Sequence, residues 1–105
     1  GTYLKALAAY DNKIPFYVAL PSSTIDLKLN SGVGKIPIEE RDPRELSYMY
    51  SFCNNKLKEN LIYFKDANIF NPAFDVTPAK YITKLITEYG VCNAAKKEIL
   101  KNIKP

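Results

Sequence analysis

The chain contains no histidine, no tryptophan, one methionine, two cysteines and two arginines. Without histidine, the usual general base and the commonest metal ligand are both missing. Cys53 and Cys92 lie far apart with no C-x-x-C spacing, which excludes a zinc site or a redox motif. They read as reduced, partly buried thiols of an intracellular protein. No apolar run approaches the ~20 residues of a membrane span, and no signal-peptide pattern is present. The expectations are therefore no metal, no cofactor, no membrane partner and a cytoplasmic location. Thirteen of the fifteen basic residues are lysines. They are scattered, densest at Lys96, Lys97, Lys101 and Lys104. Only Arg41 and Arg44 supply guanidinium groups. A nucleic-acid surface concentrates Arg and Lys on one face among aromatics, so the lysines read as solvated helix faces and no nucleic-acid partner is expected.

What is present is an ordinary globular composition, 47% apolar and 25% charged in 105 residues. That length allows one domain at most. A chain of this size buries roughly 60–68% of its unfolded surface. It opens GTYLKALAAYDNKIPFYVALPSSTID, with no initiator methionine and within a residue or two of a helix. This start leaves two readings open, a whole protein or the back end of a larger one. Tyr3, Leu4, Leu7 and Ala8 share one face of a helix over residues 3–11, ended by Asp11-Asn12. PFYVAL is a short continuous apolar run and suits a strand covered on both faces, as in a parallel sheet. Helix followed by buried strand is the repeat of an α/β fold.

Ser22, Ser23 and Thr24 follow that strand directly. Ligands of open α/β sheets bind beyond the carboxyl ends of the strands. Two readings stand: these residues donate hydroxyl and backbone hydrogen bonds to a phosphate or sugar, or they form a Pro-Ser turn that satisfies its own backbone. IDLKL and KIPIEE alternate around NSGVG and predict a β-hairpin or an excursion at the sheet edge. Gly32-Val33-Gly34 lacks the rest of a dinucleotide fingerprint and reads as a turn. Asp42-Pro43-Arg44-Glu45 predicts a helix start, with Asp42 capping and the helix running to Phe52. CNNKLKEN reads as a loop or frayed end, and LIYF or ANIF as a strand returning to the sheet. Thr77-Pro78 predicts a further helix, with Tyr81, Ile82, Leu85, Ile86 and Tyr89 on its apolar face and Gly90 as its C-terminal cap. The tail AAKKEILKNIKP predicts a last amphipathic turn or two, with Ile99, Leu100 and Ile103 inward.

Three stretches, GTYLKALAAYDNKIPFYVALPSSTID, IPIEERDPREL and NPAFDVTPAKYITKLITEYGV, taken in that order resemble the C-terminal end of methylthioribose-1-phosphate isomerases. These are the aldose–ketose isomerases of methionine salvage. The wider family includes ribose-1,5-bisphosphate isomerases and the regulatory subunits of initiation factor two-B. PSSTID, IEER and NPAFDVTPA are similar to the salvage branch. The resemblance covers residues 1–46 and 67–92; residues 47–66 stand apart as a lineage-specific stretch.

The resemblance implies an α/β fold: a partial Rossmann-like parallel sheet with flanking helices and a small β-hairpin excursion, one C-terminal domain over residues 1–105. It implies a sugar-phosphate substrate and a homodimer for the intact enzyme. The family's catalytic Cys and Asp lie upstream, and its substrate-binding Asn-Lys pair aligns just before Gly1. No catalytic residue is therefore expected in this chain, which needs its N-terminal part for chemistry. Cys53-Asn54 and Cys92-Asn93 repeat the family's Cys-Asn pair at the wrong places. Asp26 and Asp75 do not align with its catalytic Asp. The residues left to touch substrate are Gly1 and Thr2, whose helix start favours an anion, with Ser22, Ser23 and Thr24 opposite. Asn71, Asp75 and Thr77 either shape the rim or lock the last helix, and locking is the preferred reading.

Overall fold

The computed structural model describes residues 1–103; of the lysine cluster, Lys104 lies outside them. The chain divides into two compact units, one formed by Gly1–Pro37 and Asp75–Pro105, the other by Ile38–Phe74.

In the first unit, helix α1 (Thr2–Asp11) is rich in alanine, the best helix former. Asn12 ends it: its backbone N–H and its side-chain amide both donate to the Ala8 carbonyl, at 3.1 and 2.9 Å. Lys13 then takes a left-handed conformation, φ 58°. Strand β1 (Tyr17–Ala19) follows. It pairs in parallel with β4 (Lys84–Thr87), Val18 opposite Leu85. β4 turns back into β5 (Gly90–Cys92), giving a three-stranded mixed sheet in the order β1-β4-β5. Helix α3 (Lys96–Asn102) closes the unit, with Ile99 and Ile103 half-buried and Leu100 exposed.

The second unit holds a short helix, α2 (Arg44–Ser47), and an antiparallel hairpin of β2 (Tyr48–Cys53) and β3 (Lys56–Leu61). Asp42 does cap α2, its Oδ1 accepting the Arg44 N–H at 2.9 Å. Glu45 does not reach back to the cap; it forms a two-pronged pair with Arg41, at 2.9 and 2.7 Å.

The sheet is mixed and flanked by helices, as an α/β reading requires, but several expected elements differ. The helix expected over residues 77–90 is a 3-10 turn (Ala79–Tyr81) followed by β4 and the start of β5. Pro78 takes ψ 135°, an extended angle that opens no helix. Ile82, Thr83, Ile86 and Thr87 are β-branched, and a half-buried pleated surface suits them better than a helix. Gly90, at φ 121°, admits the tight β4–β5 turn instead of capping a helix. The hairpin expected over IDLKL and KIPIEE is absent; that segment is turns with one isolated bridge, Glu40 to Pro72. The real hairpin is the stretch expected to be helix to Phe52 and then loop. Its turn, Asn54-Asn55, has φ 51° and 57°, the left-handed pair that a two-residue hairpin loop demands. Neither LIYF nor ANIF returns to the sheet as a strand.

Burial also departs from expectation. The helix face Tyr3, Leu4, Leu7 and Ala8 does not point inward: Leu4 is 72% exposed, and Ala6 is the fully buried residue. β1 is not covered on both faces, since Tyr17 is half exposed. Among the described residues the buried hydrophobic side chains are Ala6 and Cys92 alone, and Cys53 is exposed rather than partly buried.

Candidate functional site

The parallel pair β1 and β4 organises the first unit. Thr83 N–H donates to Phe16 O at one end of β1 (2.8 Å), and Leu20 N–H donates to Ile86 O at the other (2.9 Å). The chain leaves the carboxyl end of β1 through Pro21 into a 3-10 turn, Ser22–Thr24. The Ser22 backbone N–H donates to Glu88 Oε2 at 2.9 Å, and the Ser22 hydroxyl donates to Glu88 Oε1. Thr24 donates its hydroxyl to Pro21 O at 2.8 Å. Ser23 is exposed. Glu88, in the turn between β4 and β5, thus ties the Ser-Ser-Thr turn to the sheet. Sequence reasoning missed it; a lone glutamate between a β-branched run and a glycine carries no signal of its own.

At the start of α1, Asp75 performs the cap that Gly1 lacks a side chain to make. Its Oδ2 accepts the Tyr3 N–H at 3.0 Å and lies 3.3 Å from Gly1 N. A carboxylate is favoured there by the free N–H groups and the helix dipole. Thr2 is exposed. Val76 and Thr77, next along the chain, line a cleft of about 390 Å³ together with Thr24 and Asp26. The structure therefore brings Thr24 and Thr77 to one cleft, with Asp75 fixing the α1 start just before it in sequence. Asp75 locks α1, not the last helix, which is absent from that segment. Asn71 belongs to the other unit. There it donates to Asp42 O (3.0 Å) and accepts from Arg41 N–H (2.8 Å), locking the entry to α2. A larger cleft, about 610 Å³, lies at the far end of α1 between Tyr10, Lys13 and Thr83 and holds none of the sequence-nominated residues.

The donors suited to an anion are thus engaged by carboxylates of the chain itself. The Tyr3 N–H, then the Gly1 nitrogen, holds the Asp75 carboxyl below its ordinary value. The Ser22 hydroxyl, then its N–H, does the same for Glu88. Depressed carboxylates add stability above the unfolded carboxylate range, about pH 4, and lose it as pH falls through their lower folded values. Urea midpoints should accordingly fall between pH 6 and pH 3, with a shallower fall in the Asp75→Asn, Glu88→Gln double variant. An unchanged slope would remove these two contacts from the account.

No group of three or more His, Cys, Asp or Glu side chains able to hold a metal is found among the described residues. No helix among them is long and apolar enough to cross a membrane.

The profile of the Initiation factor 2 subunit family matches residues 1–94, a span that runs through the hairpin set apart by the sequence reading. The chain is 52% identical over 99 residues to a methylthioribose-1-phosphate isomerase of Desulfatibacillum aliphaticivorans, covering 94% of this chain and 27% of that protein. It is 53% identical over 106 residues to the enzyme of that name from Methylorubrum populi, covering all of this chain and 29% of that one. Among solved structures, the 5-methylthioribose 1-phosphate isomerase of Pyrococcus horikoshii superposes with a TM-score of 0.74 at 42% identity, over 95% of this chain and 25% of that one. The delta subunit of translation initiation factor eIF-2B from A. fulgidus gives 0.76 at 36% identity, over 96% and 27%. The chain spans little more than a quarter of the length of these relatives.

Proposed function

We propose that this chain, which belongs to the initiation factor 2 subunit family, is the C-terminal segment of an S-methyl-5-thioribose-1-phosphate isomerase. The observation that carries the reading is identity at about one residue in two to such isomerases along nearly the whole chain. The two solved relatives superpose about equally well, so the fold favours neither, and the sequence identity to isomerases is what supports this reading. On this reading β1 and β4 are part of a larger Rossmann-like parallel sheet, and residues 1–105 are its single C-terminal domain. The intact enzyme works in the cytoplasm, in methionine salvage, as a homodimer. It interconverts an aldose 1-phosphate and its ketose isomer by ring opening and hydrogen transfer between adjacent carbons. The catalytic Cys and Asp reside upstream. This segment contributes scaffold and one wall of the phosphate site, with the exposed Thr2 on one side and the exposed Ser23 on the other, while Gly1, Ser22 and Thr24 shape that wall through their bonds within the chain. Asp75 and Glu88 hold those two walls in place.

The 105-residue chain by itself is expected to show no turnover of methylthioribose 1-phosphate in a coupled ketose assay. Turnover would refute the assignment of the chemistry to upstream residues. A second reading, a non-catalytic interaction module, is favoured by the superposition on the initiation-factor subunit. Recovery of translation factors, and no isomerase segment, with tagged chain from source-cell extract would support it over the enzyme.

A further inference from the structure

A cleft of about 300 Å³ is formed by residues of β4, β5 and α3. Lys84, Asn93, Lys101 and Asn102 line it, with Glu98 and Cys92 beside them. It shares no lining residue with the cleft at Thr24 and Thr77. What its lining has left to offer is donors. Lys84 is half-buried, and its ammonium spends one of three N–H bonds on Asn93 Oδ1, at 2.8 Å. Among the described residues no carboxylate forms an ion pair with it. The Asn93 oxygen is thereby taken, and Asn102 Oδ1 accepts from the Thr87 hydroxyl at 3.3 Å. Each amide is left with its NH2 end. Lys101 lies 3.5 Å from Glu98 Oε1, so that pair is neutral. Lys84 remains as the uncompensated charge of the lining.

From this set we infer that the cleft binds the carboxylate group of a small molecule. An ionised carboxylate only accepts, with two oxygens and about four lone-pair sites. One oxygen takes the unspent Lys84 N–H groups as charge-assisted bonds, and the other takes the two amides. Its single charge matches the single uncompensated cation, where a phosphate dianion would leave a charge unbalanced. The volume is at the small end of ligand sites and has no room for an inserted helix, about 10 Å across. The inference does not rest on the isomerase reading, since it follows from Lys84 and two amides whatever the chain's activity.

Cys92, buried in the lining, reports on the site, and the exposed Cys53 is the reference in the same chain. The host is the 105 residues joined to the upstream part of a related isomerase, which covers the apolar surface. It is treated with iodoacetate or with iodoacetamide, its uncharged isostere, and alkylation at each cysteine is followed by peptide mass spectrometry. Both reagents form the same bond, sulfur to CH2 with loss of iodide. The iodoacetate-to-iodoacetamide rate ratio at Cys92 should exceed that at Cys53 by about tenfold, the scale of one hydrogen bond to a charged group. Lys84→Met should bring the two ratios together, and Lys84→Arg should keep them apart. Glu98→Gln, which removes the negative charge of the lining, should widen the gap. Acetate should slow iodoacetate at Cys92 and leave Cys53 untouched. Equal ratios at the two cysteines, a gap that survives Lys84→Met, or a Cys92 inert to both reagents would overturn the inference. Protection by a glutamate-rich peptide without protection by acetate would give the cleft to a protein partner and overturn it too. Turnover plays no part in the readout, so the two readings fail separately. An inactive host with the tenfold gap refutes the enzyme reading alone, and an active host with equal ratios refutes the carboxylate site alone.

Discussion

Dissolved by itself, the chain should bind an apolar dye such as ANS strongly and sediment as associating species, not as a monomer. Its apolar side chains are largely uncovered: Phe52, Phe64 and Phe70 are each more than 70% exposed, and no large side chain is fully buried among the described residues. The accessible surface is 8468 Å², where a folded monomer of 11.9 kDa presents about 5,900 Å². The excess is comparable with one partner's share of a large obligate interface. The hairpin shows the same thing locally. Pleating puts Tyr48, Tyr50, Phe52, Leu57 and Leu61 on one face and Met49, Ser51, Lys56, Lys58 and Asn60 on the other. The apolar face holds one charge, Glu59, and Arg44 neutralises it at 2.8 Å. Adding the upstream part of a related isomerase should quench the dye signal and sharpen the melt. A dye-silent monomer with a sharp two-state transition would contradict this account.

The second large effect is expected at Ala6. It is the one fully buried residue of α1, on a helix whose two flanking tyrosines, Tyr3 and Tyr10, both meet Tyr81, at 5.8 and 5.2 Å between ring centres. These contacts hold α1 against the segment leading into β4. Ala6→Leu has no room and should cost about 1–3 kcal/mol, read as earlier loss of helical signal on heating when the chain is joined to the upstream part of a related isomerase. The measurement is far-UV circular dichroism. Leu4→Ala, at an exposed position of the same helix, should stay within about 0.5 kcal/mol. Equal melting of Ala6→Leu and wild type would show that α1 is not packed as described.

These two residues also mark how far the sequence could be read. The existence of α1, its end at Asp11-Asn12 and the strand after it are legible, because alanine-rich periodicity and a continuous apolar run are strong local signals. Its inward face is not, because the helix presents small Ala6 to its neighbours and leaves Leu4 outside, the reverse of a simple hydrophobic count. Residues 81–89 fit a helical apolar face and a strand–turn–strand equally well on spacing. Parallel pairing with Tyr17–Ala19, a partner more than sixty residues away, decides it, and only the β-branched content hinted at that outcome. The Asn54-Asn55 hairpin carried a readable signal, two residues tolerant of positive φ between alternating runs. At the candidate site, Ser22 and Thr24 were legible as hydroxyls at the end of a strand, whereas Thr77 read as a helix cap. The carboxylate that binds Ser22 was not legible: Glu88 reaches it across the chain, a contact made by the fold alone, as is the reach of Asp75 to the Tyr3 N–H.

The central claim, that these residues are a working part of an isomerase and not a module of another function, is tested most directly by a hybrid enzyme. The matching segment of a related methylthioribose-1-phosphate isomerase would be replaced by these 105 residues, and kcat/KM for methylthioribose 1-phosphate measured. The account predicts activity within about tenfold of the parent, the size of effect that about 1.4 kcal/mol of imperfect packing would produce. A hybrid that folds and dimerises like the parent but shows no turnover would contradict it.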